Sequence, residues 1–173
     1  MVVIDRFDGK YHFLSNFAAS RFVWNFTMYN KAGEITHIPM PFECPTVEHP
    51  YQALKTLDTQ EMYNILRAGT AGKAKRLGRK ATMRPDWNEV KDNFMLQLLE
   101  KKFSDPYLRE KLLETNGHVL IEGNTWHDNY WGDCYCENES GEHPECLETG
   151  KNMLGYLLMQ LRDRIRRENE EPS

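Results

Sequence analysis

The first quarter of the chain alternates apolar and polar residues in the way that β-strands do. Residues 2–4 predict a short strand, and residues 22–42 alternate around Asn30-Lys31-Ala32-Gly33. That pattern predicts a hairpin with a loop of about four residues. After Pro45 the apolar residues recur every three or four positions, which is the spacing of helices. The chain therefore begins with strands and continues with helices.

Five helices are predicted between residues 46 and 117. Thr46 is expected to cap the first, and Asp58 with Glu61 resembles a capping box that begins the second. Asp86 with Glu89 begins the fourth, which has the widest apolar face. The third and fifth are predicted over residues 70–79 and from Pro106 to about residue 116.

The end of the chain predicts one more strand and one more helix. The strand is expected at residues 119–121, and the helix is expected from about Gly150. Its mixed-charge end, residues 162–173, is expected to fray in solvent. The sum is an α+β protein, a single helix-rich domain over residues 1–173 with a small β-sheet formed mainly by N-terminal strands.

Composition supports a folded chain of one domain. The chain has 173 residues, 40% of them apolar and 12% aromatic, which excludes global disorder. The formal charge of -4 does not indicate a nucleic-acid binder, although a local basic patch is compatible with it. Charged residues interrupt the N-terminus, and no apolar run reaches the roughly 18 residues of a membrane span. We expect a soluble, cytoplasmic protein with reduced cysteines.

Glu48, Gln52 and Lys55 are spaced so that they share one face of the first helix. Glu48 lies in the first turn, where the helix dipole stabilises a carboxylate. A carboxylate, an amide and an amine on one face suit a catalytic site. A solvated helix face explains the same spacing.

Residues 124–149 show no periodicity, and a loop of this length in a compact domain is usually functional, metal-bound or mobile. Its first ten residues hold two acids, a histidine and three aromatic rings, including His127, Asp128 and Trp131. Aromatic faces beside carboxylates can stack a heterocycle and stabilise positive charge on an attached sugar. The alternative is a loop that its tryptophans anchor to the core, with Asp128 shaping a turn.

Cys134, Cys136, His143 and Cys146 offer three thiols and an imidazole within thirteen residues. Four such ligands would suit a structural, tetrahedral Zn²⁺ ion. The spacing is not that of a standard zinc knuckle, and the loop is acidic. The alternative is a mobile acidic loop with reduced cysteines.

Residues 69–80 form the strongest basic run, with five cations that include Lys75 and Arg79. These cations could hold a phosphate or pyrophosphate. The run lacks the P-loop pattern, which argues against a nucleoside triphosphatase. An exposed basic helix is the alternative.

Several blocks of the chain together resemble the signature of the YbiA-like, or NADAR, domain family. They are Phe13-Leu14-Ser15-Asn16-Phe17, residues 46–55, residues 74–79, Arg84-Pro85-Asp86-Trp87 with Lys91, residues 112–115, Asp128-Asn129-Tyr130-Trp131-Gly132, residues 150–155 and Leu158-Met159. They occur in the family's order and span nearly the whole chain. Two departures are Pro50 and the length of the Cys/His loop.

The resemblance implies a helix-rich α+β fold and N-glycosidase chemistry at a ribose carbon. Family members cleave ribosylated pyrimidine intermediates of riboflavin synthesis or remove ADP-ribose from guanine in nucleic acid. No cofactor is expected for catalysis. By motif position, the implied catalytic residues are Glu48, Asp128 and Lys55. The residues expected to bind substrate are Asn16, Gln52, Lys75, Arg79, Trp87, Trp131 and Asn152.

Two mechanisms remain open. Glu48 and Asp128 could stabilise the charged sugar and manage a proton, or Lys55 could form a Schiff base with an opened sugar aldehyde. Two other classes of function also remain open. One is a module that binds ADP-ribose or a related nucleotide without turnover, and the other is a zinc-supported nucleic-acid adaptor that uses the basic helix.

Overall fold

The computed structural model describes residues 2–29, 34–137 and 142–170. The chain divides into two compact units, one formed by residues 1–15 with 106–173 and the other by residues 16–105. Helices predominate and each described sheet has only two strands, so the predicted helix-rich α+β class is confirmed. The assignment of residues 1–173 to one domain stays a prediction. None of the helices within the described ranges has the length and apolarity of a membrane span.

The unit of residues 16–105 begins with the predicted hairpin. The first strand of the chain, β1 (Val2–Ile4), belongs to the other unit. The hairpin strands are β2 (Phe22–Tyr29) and β3 (Ile35–Cys44). They pair antiparallel, with a bulge after Phe26. Phe22, Trp24 and Phe26 are buried at every second position of β2, as expected for a strand with one face on a core. The predicted loop at residues 30–33 lies outside the described residues.

Four helices follow the hairpin in this unit: α1 (Glu48–Ala53), α2 (Thr59–Leu66), α3 (Ala71–Gly78) and α4 (Trp87–Lys102). The side chain of Asp58 accepts a 2.8 Å hydrogen bond from the amide of Glu61, which confirms the predicted cap of α2. Thr70 caps α3 in the same way through the amide of Lys73.

One predicted cap is wrong, and a second lacks its side-chain hydrogen bond. Thr46 Oγ1 lies 2.8 Å from Nδ1 of His49 and does not cap α1. Asp86 is the N-cap residue of α4, as predicted, but its side chain caps no amide because both carboxylate oxygens accept hydrogen bonds from Arg84, at 2.6 and 2.9 Å. Those bonds to the guanidinium hold the pKa of Asp86 below its usual value.

The other unit contains two small parallel pairs of strands. β1 pairs with β4 (His118–Leu120), and β5 (Gly123–Asn124) pairs with β6 (Asp133–Cys134). The described strands therefore form three two-stranded sheets, with most strand residues in the N-terminal part as predicted. The helical elements of this unit are 3₁₀ turns at Gly9–Leu14 and Pro144–Leu147, α5 (Pro106–Glu114) and α6 (Met153–Glu170).

Helix α6 does not fray where the charge pattern predicted. It continues to Glu170, and Arg162 is only 5% exposed. The Nη1 group of Arg162 donates hydrogen bonds to the carbonyl oxygens of Thr115 and His118, at 2.7 and 3.0 Å. These bonds satisfy the buried guanidinium, so the predicted frayed tail is wrong at its first residue.

Candidate functional site

Glu48 and Gln52 are buried, at 4% and 3% exposure, one turn apart on α1. Nε2 of Gln52 donates a 2.7 Å hydrogen bond to Oε1 of Glu48. The interpretation of this face as solvated is therefore wrong for these two residues. A buried carboxylate needs such a hydrogen bond, because burial removes the water that would otherwise solvate its charge.

Asn16 fixes the start of α1. Its carbonyl oxygen accepts a 3.1 Å hydrogen bond from the amide of Glu48, and its side-chain Nδ2 donates to Sδ of Met95 at 3.5 Å. Pro50 is the third residue of α1, where a backbone amide has no acceptor inside the helix. The proline is therefore compatible with the helix beside Glu48.

Two buried oxygens near α1 have no hydrogen-bond partner in the described part of the chain. They are Oδ1 of Asn16 and Oε1 of Gln52. Buried polar atoms are normally paired, so these two oxygens are exceptions that retain the capacity to accept a hydrogen bond. Both residues were predicted to bind substrate.

Gly78 allows Gln52 to occupy its position. A Cβ atom at Gly78 would lie 2.1 Å from Oε1 and 2.8 Å from Cβ of Gln52, well inside van der Waals contact. The last residue of α3 must therefore be small for Gln52 to lie as it does. Gly78 has no predicted role, although it falls inside the motif at residues 74–79.

Lys55 lies beside two aromatic rings. Its Nζ atom is 5.5 Å from the ring centroid of Tyr51 and 5.9 Å from that of Trp87, and the two rings are 5.2 Å apart. An ammonium group at this distance is attracted by the negative face of each ring. Trp87 is only 5% exposed, so it contributes a wall behind the amine.

Lys75 and Arg79 lie on α3 and directly after it. Lys75 is half-buried, with Nζ 5.7 Å from the centroid of Phe17, whereas Arg79 is exposed. Phe17 follows Asn16 in the same motif, so the first block of the signature and the basic helix meet within this unit. The ammonium group of Lys75 therefore lies beside the residue that follows Asn16.

His49 is a buried residue that the sequence analysis did not assign. It is 2% exposed, with Nδ1 2.8 Å from Thr46 Oγ1 and Nε2 2.9 Å from the carbonyl oxygen of Ala68. A carbonyl only accepts, so Nε2 carries the proton and Nδ1 accepts from the hydroxyl. Burial lowers the pKa of His49 despite the bond to Ala68. Its role is to hold α1 in place as a neutral side chain.

Asp128 lies in a tight turn of the other unit. Its Oδ1 accepts hydrogen bonds from the backbone amides of Trp131, at 2.9 Å, and Tyr130, at 3.3 Å. The buried Asn124 holds the same turn, since its Oδ1 accepts from the amide of Asp128 and its Nδ2 donates to the Asp128 carbonyl. At least one oxygen of Asp128 therefore shapes a turn, which was the alternative interpretation of this residue.

Asn152 immediately precedes α6 and has a positive φ of 50°. Its Oδ1 accepts from the amide of Glu122 at 2.9 Å, and its Nδ2 donates to the carbonyl of Leu120 at 2.8 Å. Both ends of the side-chain amide therefore bind backbone. The positive φ also explains why α6 begins at Met153 rather than at the predicted Gly150, because a left-handed residue cannot continue a helix.

Trp131 is half-buried in the turn that precedes α6. Its ring lies 5.2 Å from that of Tyr130 in a T-shaped arrangement. The carbonyl oxygens of Tyr130 and Trp131 accept from the first amides of α6, those of Met153 and Leu154, both at 3.0 Å. The turn and the helix are thus one hydrogen-bonded assembly.

Three of the four predicted metal ligands lie close together, and the fourth member of their group is a histidine other than the predicted one. Ligand atoms of His127, Cys134, Cys136 and Cys146 all lie within 4.8 Å of one another, and we call this group the Cys/His cluster. His143 is not in it and stacks on the ring of His127 instead, with centroids 3.5 Å apart. His143, which was predicted as the fourth ligand, therefore lies outside the Cys/His cluster. His127 was missed because it precedes the cysteines and reaches them through a left-handed turn, with φ of 66°.

The pKa values of the thiols in the Cys/His cluster are shifted in different directions. Burial raises the pKa of Cys146 to about 12, and the hydrogen bonds with Cys134 and Cys136 add to that effect. Burial acts in the same direction on Cys134, but the donors around it, including the Cys136 amide, outweigh burial and lower its pKa. Cys134 is therefore the first of these sulfurs to become a thiolate.

The unit that contains Asp128 also has an open cavity of about 530 Å³. Lys10, Tyr11, Tyr107, Lys111 and His118 are among the residues that line it. None of its lining residues is one of the predicted site residues. Glu48, Lys55 and Trp87 lie in the unit of residues 16–105, and Asp128, Trp131 and Asn152 lie in the other. That these six residues share a single pocket stays a prediction.

Comparisons with known proteins agree with the resemblance drawn from the motifs. The NADAR domain family model matches residues 5–166. N-glycosidase YbiA of Escherichia coli is 40% identical over 124 residues, which cover 70% of each chain, and an N-glycosidase of Nostoc punctiforme is 36% identical over 127 residues. The maize chloroplastic riboflavin biosynthesis protein PYRR is 36% identical over 137 residues, which cover 72% of this chain and 20% of that protein.

A solved structure matches the fold. The NMR structure of E. coli YbiA has a TM-score of 0.75 and 32% sequence identity, and the match covers 99% of this chain and 89% of that one. A likeness of this extent includes the segments that carry every predicted site residue. Together with the family match over nearly all of its length, it shows that this chain belongs to the NADAR domain family.

Proposed function

We propose that this chain is an N-glycosidase that hydrolyses the bond between C1′ of a ribose and a nitrogen of a heterocycle. The predicted activity is confirmed by family relatives that carry the name N-glycosidase. The structural observation that carries the proposal is the buried Glu48 carboxylate, held by Gln52. Asp128 is proposed as the second carboxylate of the reaction.

The reaction needs negative charge near the sugar. As the C1′–N bond breaks, positive charge develops on the ribose, water adds its oxygen to C1′, and the leaving nitrogen takes a proton. A fixed carboxylate stabilises that charge more effectively in a buried site than in water. Glu48 meets this requirement because its position is set by both the side chain of Gln52 and the backbone of Asn16.

Lys55 supports a second route to the same products. Its amine would attack C1′ of the opened sugar, expel the heterocycle and form an imine, which water would then hydrolyse. The rings of Tyr51 and Trp87 beside Nζ restrict solvent around the amine. Borohydride reduces an imine to a stable secondary amine, so a borohydride-dependent mass increase on Lys55 in the presence of substrate would establish this route, and its absence would favour the carboxylate route.

The relatives and the motifs support two candidate substrate classes. The name of the maize relative supports a ribosylated pyrimidine of riboflavin synthesis as substrate, and the family resemblance adds ADP-ribosylated guanine in nucleic acid. Lys75 and Arg79 are proposed to bind the phosphate or pyrophosphate of either substrate. Trp131 and Trp87 are proposed to contact the base, and Asn152 is proposed to contact the sugar.

No cofactor is proposed for the hydrolysis, and a zinc ion at the Cys/His cluster would be structural. We also propose a cytoplasmic location, supported by the free thiols, which suit a reducing compartment. One experiment tests the function. The purified protein is incubated with a ribosylaminopyrimidine phosphate and, separately, with guanine-ADP-ribosylated DNA, and released base is measured by mass spectrometry.

Release of base from either substrate supports the proposal and identifies its class. Stoichiometric binding of both without release over several hours would contradict it. That outcome would favour the alternative of a module that binds ADP-ribose or a related nucleotide without turnover.

A further inference from the structure

We propose that His127, Cys134, Cys136 and Cys146 bind one Zn²⁺ ion with tetrahedral geometry. Their ligand atoms lie within 4.8 Å of one another. Around a tetrahedral zinc, with Zn–S near 2.3 Å and Zn–N near 2.0 Å, ligand atoms are separated by roughly 3.5 Å. The largest separation in the cluster therefore exceeds that value by at most about 1.3 Å.

Backbone amides around Cys134 are arranged to support a metal-bound thiolate. The amide of Cys136 donates to Sγ of Cys134 at 3.4 Å, and the backbone of His127 donates to the same sulfur. Hydrogen bonds of this kind to a ligand are the outer-shell contacts that orient it and tune its basicity. The backbone of Cys136 would thus help to position the sulfur of Cys134 for metal binding.

His127 supplies the imidazole through Nδ1, which lies 3.4 Å from Sγ of Cys146. His143 lies flat against the His127 ring, with an interplanar angle of 12°, and its Nδ1 is 3.2 Å from Oε1 of Glu145. The second histidine therefore orients the first from outside the cluster. This arrangement gives the two histidines different roles, which a metal-binding experiment can separate.

The donor set selects zinc. Three soft thiolates and one imidazole in a tetrahedral arrangement suit Zn²⁺ rather than Mg²⁺ or Ca²⁺, which prefer oxygen. Three thiolates carry three negative charges, and a divalent cation reduces that to one. Four protein ligands leave no open position for a substrate, so the ion is structural.

The ion would tie together segments that hold the Asp128 turn. Cys146 lies in the 3₁₀ turn Pro144–Leu147, Cys134 lies in β6, and His127 directly precedes Asp128. The side chain of Asn129 joins the same segments, because it donates to the carbonyls of Glu145 and Glu148 and accepts from the amide of Cys134. The inference does not depend on the proposed reaction.

The test measures metal directly. The full chain is purified under reducing, anaerobic conditions, incubated with zinc and passed through a desalting column, and its metal content is determined by mass spectrometry. We expect one zinc per chain, and we expect bound Co²⁺ to show the intense visible bands and thiolate charge-transfer absorption of a tetrahedral site. Binding well below one zinc per chain, or a cobalt spectrum of octahedral type, would overturn the proposal.

Matched variants assign the ligands. His127→Asn keeps a residue that tolerates positive φ and is expected to weaken zinc binding by about 100-fold or more, whereas the outer-shell variant His143→Asn is expected to weaken it by about 10-fold. Cys44→Ser, outside the cluster, should leave binding unchanged. Circular dichroism confirms that each variant is folded. If His143→Asn abolished binding and His127→Asn did not, the ligand assignment would be wrong.

Discussion

Nε2 of Gln52 lies 2.7 Å from Oε1 of Glu48, and both side chains are buried on the same face of α1. The bond orients a carboxylate that the proposed reaction uses as a charge. The substitution Glu48→Gln keeps the shape of the side chain and removes that charge. We expect kcat/KM for base release to fall by about 10²–10³-fold, in line with the loss of an electrostatic stabiliser of the transition state.

The matched control for that prediction is Glu89→Gln, which neutralises an exposed carboxylate in the first turn of α4. It should release base at the parent rate. A Glu48→Gln variant that is folded by circular dichroism and as active as the parent would remove Glu48 from the mechanism.

Gly78→Ala is expected to disturb the same bond from another helix. The new Cβ would lie 2.1 Å from Oε1 of Gln52, so the side chain of Gln52, which binds Glu48, must shift. A displacement of about an ångström at a catalytic group can reduce the rate about 10²-fold. Gly72→Ala on the same helix has open space around it and should keep the parent kcat/KM. Equal activity of the two variants would show that the position of Gln52 does not matter.

His49 should make the folded state sensitive to acid. Its pKa is lowered below the ordinary value of 6.5, so below that pH the unfolded chain binds a proton that the folded chain resists. The contribution to the free energy of unfolding is therefore complete above about pH 6.5 and is lost as the pH falls below it. Urea denaturation between pH 5 and 8 measures the effect.

The variant His49→Gln provides the comparison for the pH series. It lacks a group that titrates in this range, so its free energy of unfolding should decline less between pH 7 and 5 than that of the parent. Parallel pH profiles for the two proteins would contradict a neutral, buried His49.

Arg162 should contribute strongly to stability. The substitution Arg162→Met leaves the carbonyl oxygens of Thr115 and His118 without their buried donor. We expect the free energy of unfolding to fall by about 3 kcal/mol, as for other broken buried charge interactions. Arg166→Met, which removes an exposed pair with Glu170, should change it by less than about 1 kcal/mol. Similar losses for both would mean that Arg162 is exposed in solution.

Cys44 should resist alkylation in the native protein. Burial raises the pKa of its thiol to about 12, so roughly one molecule in 10⁴ carries the thiolate at pH 8. Peptide mass spectrometry after iodoacetamide treatment should find Cys44 unmodified in the folded chain and modified in urea. Rapid labelling of Cys44 in the folded chain would show that the core around it opens.

The features that sequence predicts well are those set by near neighbours. Asp58 and Thr70 each cap a helix through the amide three residues on, and Glu48 and Gln52 meet because α-helical spacing brings them together. In each case the interacting groups are separated by one turn of helix. Local geometry alone therefore decides the contact.

The features that sequence missed depend on partners that helical or strand spacing does not identify. Spacing places Glu48 on a helix face but does not say what covers that face. Arg162 lies in a run of charges that is typical of a solvated tail, and its acceptors are 47 and 44 residues away. His127 becomes a cluster member only through a left-handed turn held by Asn124. The capping oxygen of Asp86 is likewise taken by a nearby arginine.

The carbonyls of Tyr130 and Trp131 that accept the first amides of α6 have a consequence for ligand affinity. If the turn shifted, the amides at the start of this 18-residue helix would lose their acceptors. The backbone of Trp131 is therefore fixed relative to α6. A flat ligand that stacks on the Trp131 indole would meet a backbone segment that is already ordered. Binding would then cost little conformational entropy of the protein backbone. High affinity would therefore not require a large contact area.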